Sequence, residues 1–316
     1  MTKENRQTTL QTGCILSGLC SQWAESIRYQ VKPTTYGVYL TMIEKHILPE
    51  LGGRLVEELD NRTLEQYLQE KQGQELSWNT LRLIVFLLKG ILHAGEERGV
   101  GTAEKLYYRI PKYKKTDRKV FNREDTERLI NYLADSDGTF ELGLLISICT
   151  GIRVGELCGL QWRDVDWAGG SIRINRTISR IRNPESGDKP DLSRTIIYIG
   201  PPKTGTSIRE IPLPDFLILK MLGCKKGESC YILTGTVRFM EPRGVQRRFK
   251  NLLKRCSIPD INIHALRHAF ASKWIENGFD SKALSEILGH SSVKITMDIY
   301  VHSNMDQKKS YMNRMV

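Results

Sequence analysis

The chain has 316 residues, 40% of them hydrophobic and 26% charged, with a formal net charge of +11 and a pI near 9.3. That length suits two ordinary globular domains, and no apolar run approaches the roughly 18–20 residues of a membrane span. The N-terminal stretch MTKENRQTTLQTG lacks the apolar core of a signal peptide, so a cytoplasmic protein is expected.

The charge is unevenly spread. Up to residue 105, 12 Lys/Arg face 13 Asp/Glu, and beyond it 35 face 23. A basic excess confined to one part of a chain points to a polyanionic partner, nucleic acid being the commonest; the alternative is a basic but merely solvated surface. Seven scattered cysteines (Cys14, Cys20, Cys149, Cys158, Cys224, Cys230 and Cys256) read as free thiols. Cys224 and Cys230 bracket KKGES, which reads as a turn rather than a zinc site.

Residues 14–105 read as a small helical domain after a tail of 1–13. ILSGLCSQWAESIRYQ carries apolar residues at helical spacing. PTTYGVYLTMIEKHILPELGG starts at Pro33 and stops at Gly52 and Gly53. NRTLEQYLQEKQG opens with cap-type residues, Gln66 following Thr63 by three as in a capping box. SWNTLRLIVFLLKGILHAGEERG is a fourth helix, too rich in Leu, Ile, Val and Phe to be exposed. A basic, aperiodic linker follows over 106–121. Either it is a simple tether, or Arg109, Lys112, Lys114, Lys115, Arg118 and Lys119 lie along DNA phosphates.

A second domain is expected over 122–303. Asn122 caps a helix with Glu124 and Asp125 in its first turn. FELGLLISICTG is an apolar helix ending at Gly151, and RVGELCGLQW is a short one. SIRINRTISRI, RTIIYIG and TSIREIPLP alternate as strands of a small antiparallel sheet, with a turn at Thr204 and Gly205. From residue 214 onward the pattern is again mostly helical, and 304–316 is a polar tail. The fold class is therefore mainly α with a small antiparallel β-sheet.

Four stretches place polar side chains in apolar surroundings: TGIRVGEL with Arg153, PPKTGTSIREIPL with Lys203, HALRHAF with His264, Arg267 and His268, and LGHSSVKITMDIYVH with His290 and Tyr300. The set lacks the paired carboxylates of a metal nuclease or a glycosidase. HALRH lacks the Glu of H-E-x-x-H, and an Arg between the histidines would repel a metal, so no metal is expected. No phosphate-cradling G-x-x-x-x-G-K-[ST] loop is visible either, and no cofactor is expected. Two Arg, one Lys, two or three His and one Tyr suit phosphoryl transfer on a nucleic acid. Arginine forks hold phosphate oxygens, a Tyr hydroxyl can attack phosphorus, and a Lys can protonate the leaving oxygen.

In order and content, the four stretches resemble the boxes of the tyrosine recombinase (phage integrase) family. TGIRVGELCGLQWRDVDW resembles the first box, matching Arg153 to its first catalytic Arg and Glu156 to the nearby acid. PKTGTSIREIPLP resembles the hairpin that carries the catalytic Lys, here Lys203. HALRHAFA is similar to H-x-L-R-H, giving His264 and Arg267, and LGHSSVKITMDIY to L-G-H-x-S…Y, giving His290 and the nucleophile Tyr300. The helical region 14–105 looks like the family's SAM-like core-binding domain, so that the resemblance covers about 14–303. It implies a C-terminal α+β tyrosine-recombinase catalytic domain.

The resemblance implies that Tyr300 attacks a scissile DNA phosphate, leaving a 3′-phosphotyrosine and a free 5′ hydroxyl. Arg153 and Arg267 clamp the non-bridging oxygens, Lys203 protonates the leaving oxygen, and His264 and His290 assist. Glu156 and His268 are read as supporting residues, and Tyr311 as a poorer nucleophile because it lies in the polar tail. The implied partners are double-stranded DNA recombination sites and three further copies of the chain, with room for an excisionase or a host DNA-bending protein. Only about 13 residues precede the first helix, too few for a separate arm-binding domain. The sequence therefore reads either as a core-site recombinase or as part of a longer chain. The long segment NRTISRIRNPESGDKPDLSRTIIYIG favours an integrase of a mobile element, such as a conjugative transposon or a phage. The rivals are a Xer-type chromosome or plasmid dimer resolution recombinase, a type IB topoisomerase-like enzyme, and a DNA-binding relative that does not cut.

Overall fold

Pro33 pre-sets the first turn of a helix and lacks only an N–H that the helix would leave unused there. A computed structural model of the chain describes residues 14–74, 76–100, 121–186, 189, 191–202, 207–300, 309 and 312–313, and the side chains of 299 and 300 are excluded. In it α1 spans Leu16–Ile27 and α2 spans Pro33–Met42. The chain then runs through a π-helical turn, Ile43–Ile47, into α3, Leu48–Leu51. Pro49 has no N–H to donate, and its ring crowds the carbonyl four residues back; a widened turn just before it relieves both. The single helix read from the sequence is thus one helical run with a wide turn inside it.

The next helix starts earlier than its sequence signal. α4 spans Asn61–Gly73 and its cap is Asp60, whose carboxylate accepts the Thr63 N–H at 2.7 Å. The expected Thr63–Gln66 capping box is not the cap, and Gln66 instead donates to Glu70 at 3.3 Å. α5, Trp78–Glu96, is capped by Ser77, which accepts from the Thr80 N–H at 3.1 Å. Its buried face includes Ile84, Leu87, Leu88 and Ile91, which join Leu16, Leu19, Ile47, Leu51 and Leu68 in one core. The opposite face carries Phe86, 54% exposed, so the helix is less fully buried than its composition suggests. Lys71 is buried in the same unit and pairs with Glu50. The described residues form two compact units, and Ile181–Ile196 group with the first one rather than with the residues that flank them in sequence. Two ion pairs anchor that segment within the first unit, Arg28–Glu185 and Arg182–Glu44.

In the second unit Asn122 caps α6 (Arg123–Asp135), accepting the Asp125 N–H at 2.7 Å as its sequence context implies. α7, Thr139–Thr150, is apolar on nearly every side and sits at the middle of the core, with Leu142, Leu144, Leu145 and Ile146 fully buried. It ends at Gly151 in the left-handed region, φ 66°. α8, Val154–Gly159, follows at once, then a 3₁₀ turn at Trp162–Asp164.

The strand expected over 171–181 is broken in two. β1 (Val165–Asp166), β2 (Ser171–Ile174) and β5 (Arg209–Pro212) form a three-stranded antiparallel sheet in the order β1-β2-β5. β3 (Thr177–Arg182) pairs separately with β4 (Thr195–Gly200). The break lies at Asn175 and Arg176, and both turn to the buried Asp164. Arg176 donates to its two oxygens at 2.8 and 3.1 Å, and Asn175 at 3.1 Å. Satisfying that buried carboxylate takes precedence over continuing the ladder. In the register Ile172 faces Ile211 and Ile174 faces Arg209, which turns the apolar side of the sheet to the α7 core.

The remainder is helical: α9 (Asp215–Cys224), α10 (Pro242–Arg255), α11 (His264–Glu276), α12 (Ser281–Leu288) and α13 (Val293–Tyr300). All seven cysteines are free thiols. Among the described residues no helix is long and apolar enough to cross a membrane.

Gly151 gives a direct test of this architecture. A methyl group there would meet Phe270 at 2.6 Å and Leu288 at 2.7 Å, on a backbone that L side chains avoid. Gly151→Ala is expected to lower unfolding free energy by at least about 2 kcal/mol, from left-handed strain plus overpacking. Urea denaturation measures it, and a loss below about 0.5 kcal/mol, the scale of a neutral surface change, would contradict this account.

Candidate active site

Arg267 lies on the first turn of α11 with 2% of its surface exposed. A buried guanidinium must be fully engaged or it costs several kcal/mol. Its Nη1 donates to the Gly151 carbonyl and one Nη2 proton to the Leu288 carbonyl, both at 2.9 Å. The first acceptor is the carbonyl of the left-handed glycine that closes α7, and the second is the last carbonyl of α12, just before its own left-handed glycine, where the helix leaves carbonyls without intrahelical donors. The two turns that close α7 and α12 are therefore joined through one side chain.

Nη2 of Arg267 also lies 2.7 Å from Nε2 of His290. Arginine has no acceptor, so Nε2 must accept and carries no proton. His290 Nδ1 then holds the proton and donates to Thr296 Oγ1, 2.7 Å away. Burial first, then Arg267, Arg153, Arg209 and His264 in that order, push the His290 pKa down to about 4. His290 is neutral at pH 7, in one tautomer, aiming its lone pair at Arg267.

Arg153 is the N-cap of α8 and its side chain is 37% exposed. Its backbone N–H and its Nη1 each donate to Glu156, both at 2.9 Å, and its Nη2 donates to the Gly289 carbonyl at 3.2 Å. Glu156, 2% exposed, is also held by Arg209 at 2.9 and 3.2 Å. Burial pushes the Glu156 carboxyl up, and Arg209 and Arg153 more than offset this, leaving it below the usual carboxylate range. Glu156 therefore stays ionised as a counter-ion and is not a proton donor at neutral pH.

His264 is exposed at the start of α11, and its ring makes an edge contact with the ring of His268, 5.1 Å between centroids. His264 shares with Arg153, Arg180 and Arg243 a groove of about 440 Å³. Arg153, Glu156, His264, Arg267 and His290 are thus brought together from three distant stretches. Tyr300 is the last residue of α13, on the helix that also supplies Thr296. Lys203, the Tyr300 side chain, Tyr311 and the basic residues Arg109, Lys112, Lys114, Lys115, Arg118 and Lys119 lie outside the described residues.

Three features escaped the sequence reading. Arg209 reads as an ordinary strand residue, yet it is buried against Glu156. Thr296 sits four residues before Tyr300 with nothing to mark it as a partner of His290. The third is the face of α10: Val245, Phe249, Leu252 and Leu253 point inward while Arg243, Arg247, Arg248, Lys250, Lys254 and Arg255 are exposed. The helical period of PRGVQRRFKNLLKR carried that last signal.

Residues 119–307 match the Phage integrase family, and residues 15–72 match the N-terminal SAM-like domain of phage integrases. A tyrosine recombinase XerC-like protein of Caldanaerobacter subterraneus subsp. tengcongensis is 28% identical over 320 residues, spanning 93% of this chain and 80% of the relative. The transposase from transposon Tn916 of Enterococcus faecalis is 25% identical, spanning 62% of this chain and 51% of its own length. The ICEBs1 integrase of Bacillus subtilis is 22% identical, spanning 94% and 81%. Among solved structures, the Tn1549 transposon integrase in complex with transposon right end DNA shares the fold. Its TM-score is 0.74 at 20% identity, covering 94% of this chain and 99% of that one. A lambda integrase tetramer bound to a Holliday junction has a TM-score of 0.67 at 18% identity, covering 92% and 79%.

These findings define a DNA strand-exchange enzyme, a site-specific recombinase. The chain belongs to the phage integrase family, the tyrosine recombinases.

The depressed His290 pKa has a consequence for stability. Between pH about 6.5 and about 4 the unfolded chain takes up a proton at His290 that the folded one refuses, so stability is lost as pH falls through that window. Melting temperatures of wild type and His290→Gln should diverge least at pH 4 and most above pH 6.5, once the general acid loss common to both is subtracted. Parallel curves would contradict a half-buried neutral His290.

Proposed function

We propose that the protein integrates and excises a mobile element, and that residues from all four sequence boxes form one catalytic centre. Tyr300 Oη gives up its proton to solvent and forms a bond to the scissile phosphorus while the phosphorus–O5′ bond breaks. Lys203 gives a proton to the departing 5′ oxygen. The 5′ hydroxyl of a second duplex then gives its proton to Lys203 and attacks the 3′-phosphotyrosine, and Tyr300 leaves and regains a proton from solvent, so the strand is resealed without an external energy source. Arg153 and Arg267 stabilise the charge on the non-bridging oxygens, each preorganised donor contributing about 3 kcal/mol of barrier lowering. His264 faces the phosphate from the groove, while His290 orients Arg267 through the Arg267–His290–Thr296 chain; Glu156 and His268 support them. The observation that carries this reading is the convergence of Arg153, Arg267 and His290 on the paired turns at Gly151 and Gly289.

The DNA is held along the exposed basic face of α10 and by the linker residues Arg109, Lys112, Lys114, Lys115, Arg118 and Lys119, which contact phosphates. The boundaries that fit this reading are a core-binding domain over 14–105, a linker over 106–121, a catalytic domain over 122–303 and a tail over 304–316. Four copies act on two duplexes in the cytoplasm, with an excisionase or host DNA-bending protein as accessory. The tail seats on a neighbouring copy, where an apolar groove of about 340 Å³ lined by Ile130, Ile148, Pro214, Phe216, Phe270 and Trp274 offers a receptor.

The long segment between β3 and β4 supports the mobile-element role. The XerC-like relative, similar over 93% of the chain, favours dimer resolution as the second reading. Sequencing DNA trapped covalently in cells separates them: adducts at the ends of an excisable element support integration, and adducts at a single chromosomal or plasmid site with no such element support resolution.

Two outcomes are expected in vitro. A nicked suicide duplex should trap a covalent adduct with wild type and none with Tyr300→Phe; no wild-type adduct on any attachment-type site would leave the non-cutting reading. Deleting 304–316 should reduce assembly on DNA, seen by size exclusion, while one copy still binds a half-site; unchanged assembly would remove the tail from this account.

A further inference from the structure

Arg209 is the first residue of β5, six positions after Lys203 in the chain. Its side chain is 6% exposed, and it donates to acceptors from separate parts of the unit. Nη2 and Nη1 grip the two oxygens of Glu156, at 2.9 and 3.2 Å. Nη1 also donates to the Ser207 carbonyl at 3.0 Å, and Nε donates to the Ile287 carbonyl in the last turn of α12. The stem packs on Gly289, where an added methyl group would meet Arg209 Cδ and Nη1 at 3.1 Å. Opposite, Ile174 of β2 fixes the backbone of Arg209 in the sheet register.

One carboxylate therefore stands between two guanidinium groups, the buried Arg209 and the half-open Arg153. Their charges sum to +1, and the excess belongs to the arginine that faces the groove. Without Arg209, Glu156 would have Arg153 as its one strong counter-ion, and Arg153 would be neutralised from behind. The Gly289 carbonyl, which holds the other arm of Arg153, would also lose the side chain that packs beneath its turn.

We propose that Arg209 is a positioning residue for strand cleavage: by neutralising Glu156 and bracing the Gly289 turn, it leaves the charge of Arg153 available to the scissile phosphate. The proposal rests on the catalytic reading given above. It gives Arg209 a role no other residue of the cluster duplicates, because the remaining cations, Arg153 and Arg267, are those assigned to the phosphate itself. It also links the strand that follows Lys203 to the turn that precedes His290. The groups facing Glu156 are Arg153 from its own helix cap and Arg209 from β5, with His290 beyond the Gly289 turn neutral above about pH 4. With Arg209 removed, burial opposed by Arg153 alone lets Glu156 protonate at higher pH, and a neutral Glu156 no longer cancels Arg153, so the cleavage deficit narrows as pH falls.

The test uses the full chain on a nicked suicide duplex, with Arg209→Met, Arg209→Lys and Glu156→Gln. Arg209→Met is expected to bind the duplex in gel shift as wild type does. Its adduct should form roughly 10- to 100-fold more slowly, the scale of a small misplacement of a catalytic group. Its deficit against wild type should be largest at neutral pH and narrow as pH falls, and Arg209→Lys, which keeps the charge, should return the rate toward wild type. In the Glu156→Gln background, Arg209→Met should cost much less, because no buried carboxylate is left to neutralise. A wild-type rate and pH profile in Arg209→Met would overturn the proposal. So would a rate loss with an unmoved pH profile that tracks lowered melting temperature in both Arg209 variants, the pattern of a merely structural residue. If wild type itself forms no adduct, the catalytic reading fails; if wild type reacts and Arg209→Met matches it, only the role of Arg209 fails.

Discussion

A carboxylate taken out of water must find positive partners or give up its charge, and Glu156 has done the former. It sits in the first turn of α8, and its partners come from the cap of the same helix and from β5. Those partners in turn reach the end of α12, at Ile287 and Gly289. A single buried charge thus ties together three pieces of chain separated by more than fifty residues each in sequence. The alternative, an apolar residue at 156, would pack more cheaply and would leave the arginines without a common reference point. The chain spends stability here to fix the position of cations.

The same logic explains why the interior of the second unit is so uniformly apolar around this cluster. α7 is buried on almost every side, so its C-terminal turn at Gly151 is held by packing against Phe270 and Leu288. A rigid turn presents its carbonyl at a fixed point, and Arg267 is fixed by it. Loose packing at that point would spread the guanidinium over several positions and weaken its electrostatic contribution.

Much of this was legible in the sequence, for identifiable reasons. Helices with side-chain caps at Asn122 and glycine stops at Gly151 read correctly because the signals are local. Arg153, Glu156, His264, Arg267 and His290 stood out as charged or polar residues in apolar surroundings, and the structure gathers them. The misreadings were cases of tertiary competition. Asp60 took the cap that Thr63 promised, and Asp164 drew Asn175 and Arg176 out of a strand whose alternation ran through them. Arg209 and Thr296 were missed because their importance lies in a partner far along the chain or six residues back, beyond the start of α13, which no spacing rule encodes. Within the first unit, Ile181–Ile196 are joined to the rest by the ion pairs Arg28–Glu185 and Arg182–Glu44, between positions more than 130 residues apart.

Arg267 is oriented largely by the main-chain carbonyls of Gly151 and Leu288, and one arm of Arg153 by that of Gly289. A carbonyl is present whichever side chain its residue bears. Position 288 can therefore drift among apolar residues, and the surrounding core can be rebuilt, without erasing the acceptors that aim the two guanidinium groups. The heritable constraint falls instead on backbone shape, at the two glycines with positive φ. Distant descendants of such a chain can lose most side-chain identity and still inherit the same charge geometry, provided those two bends survive.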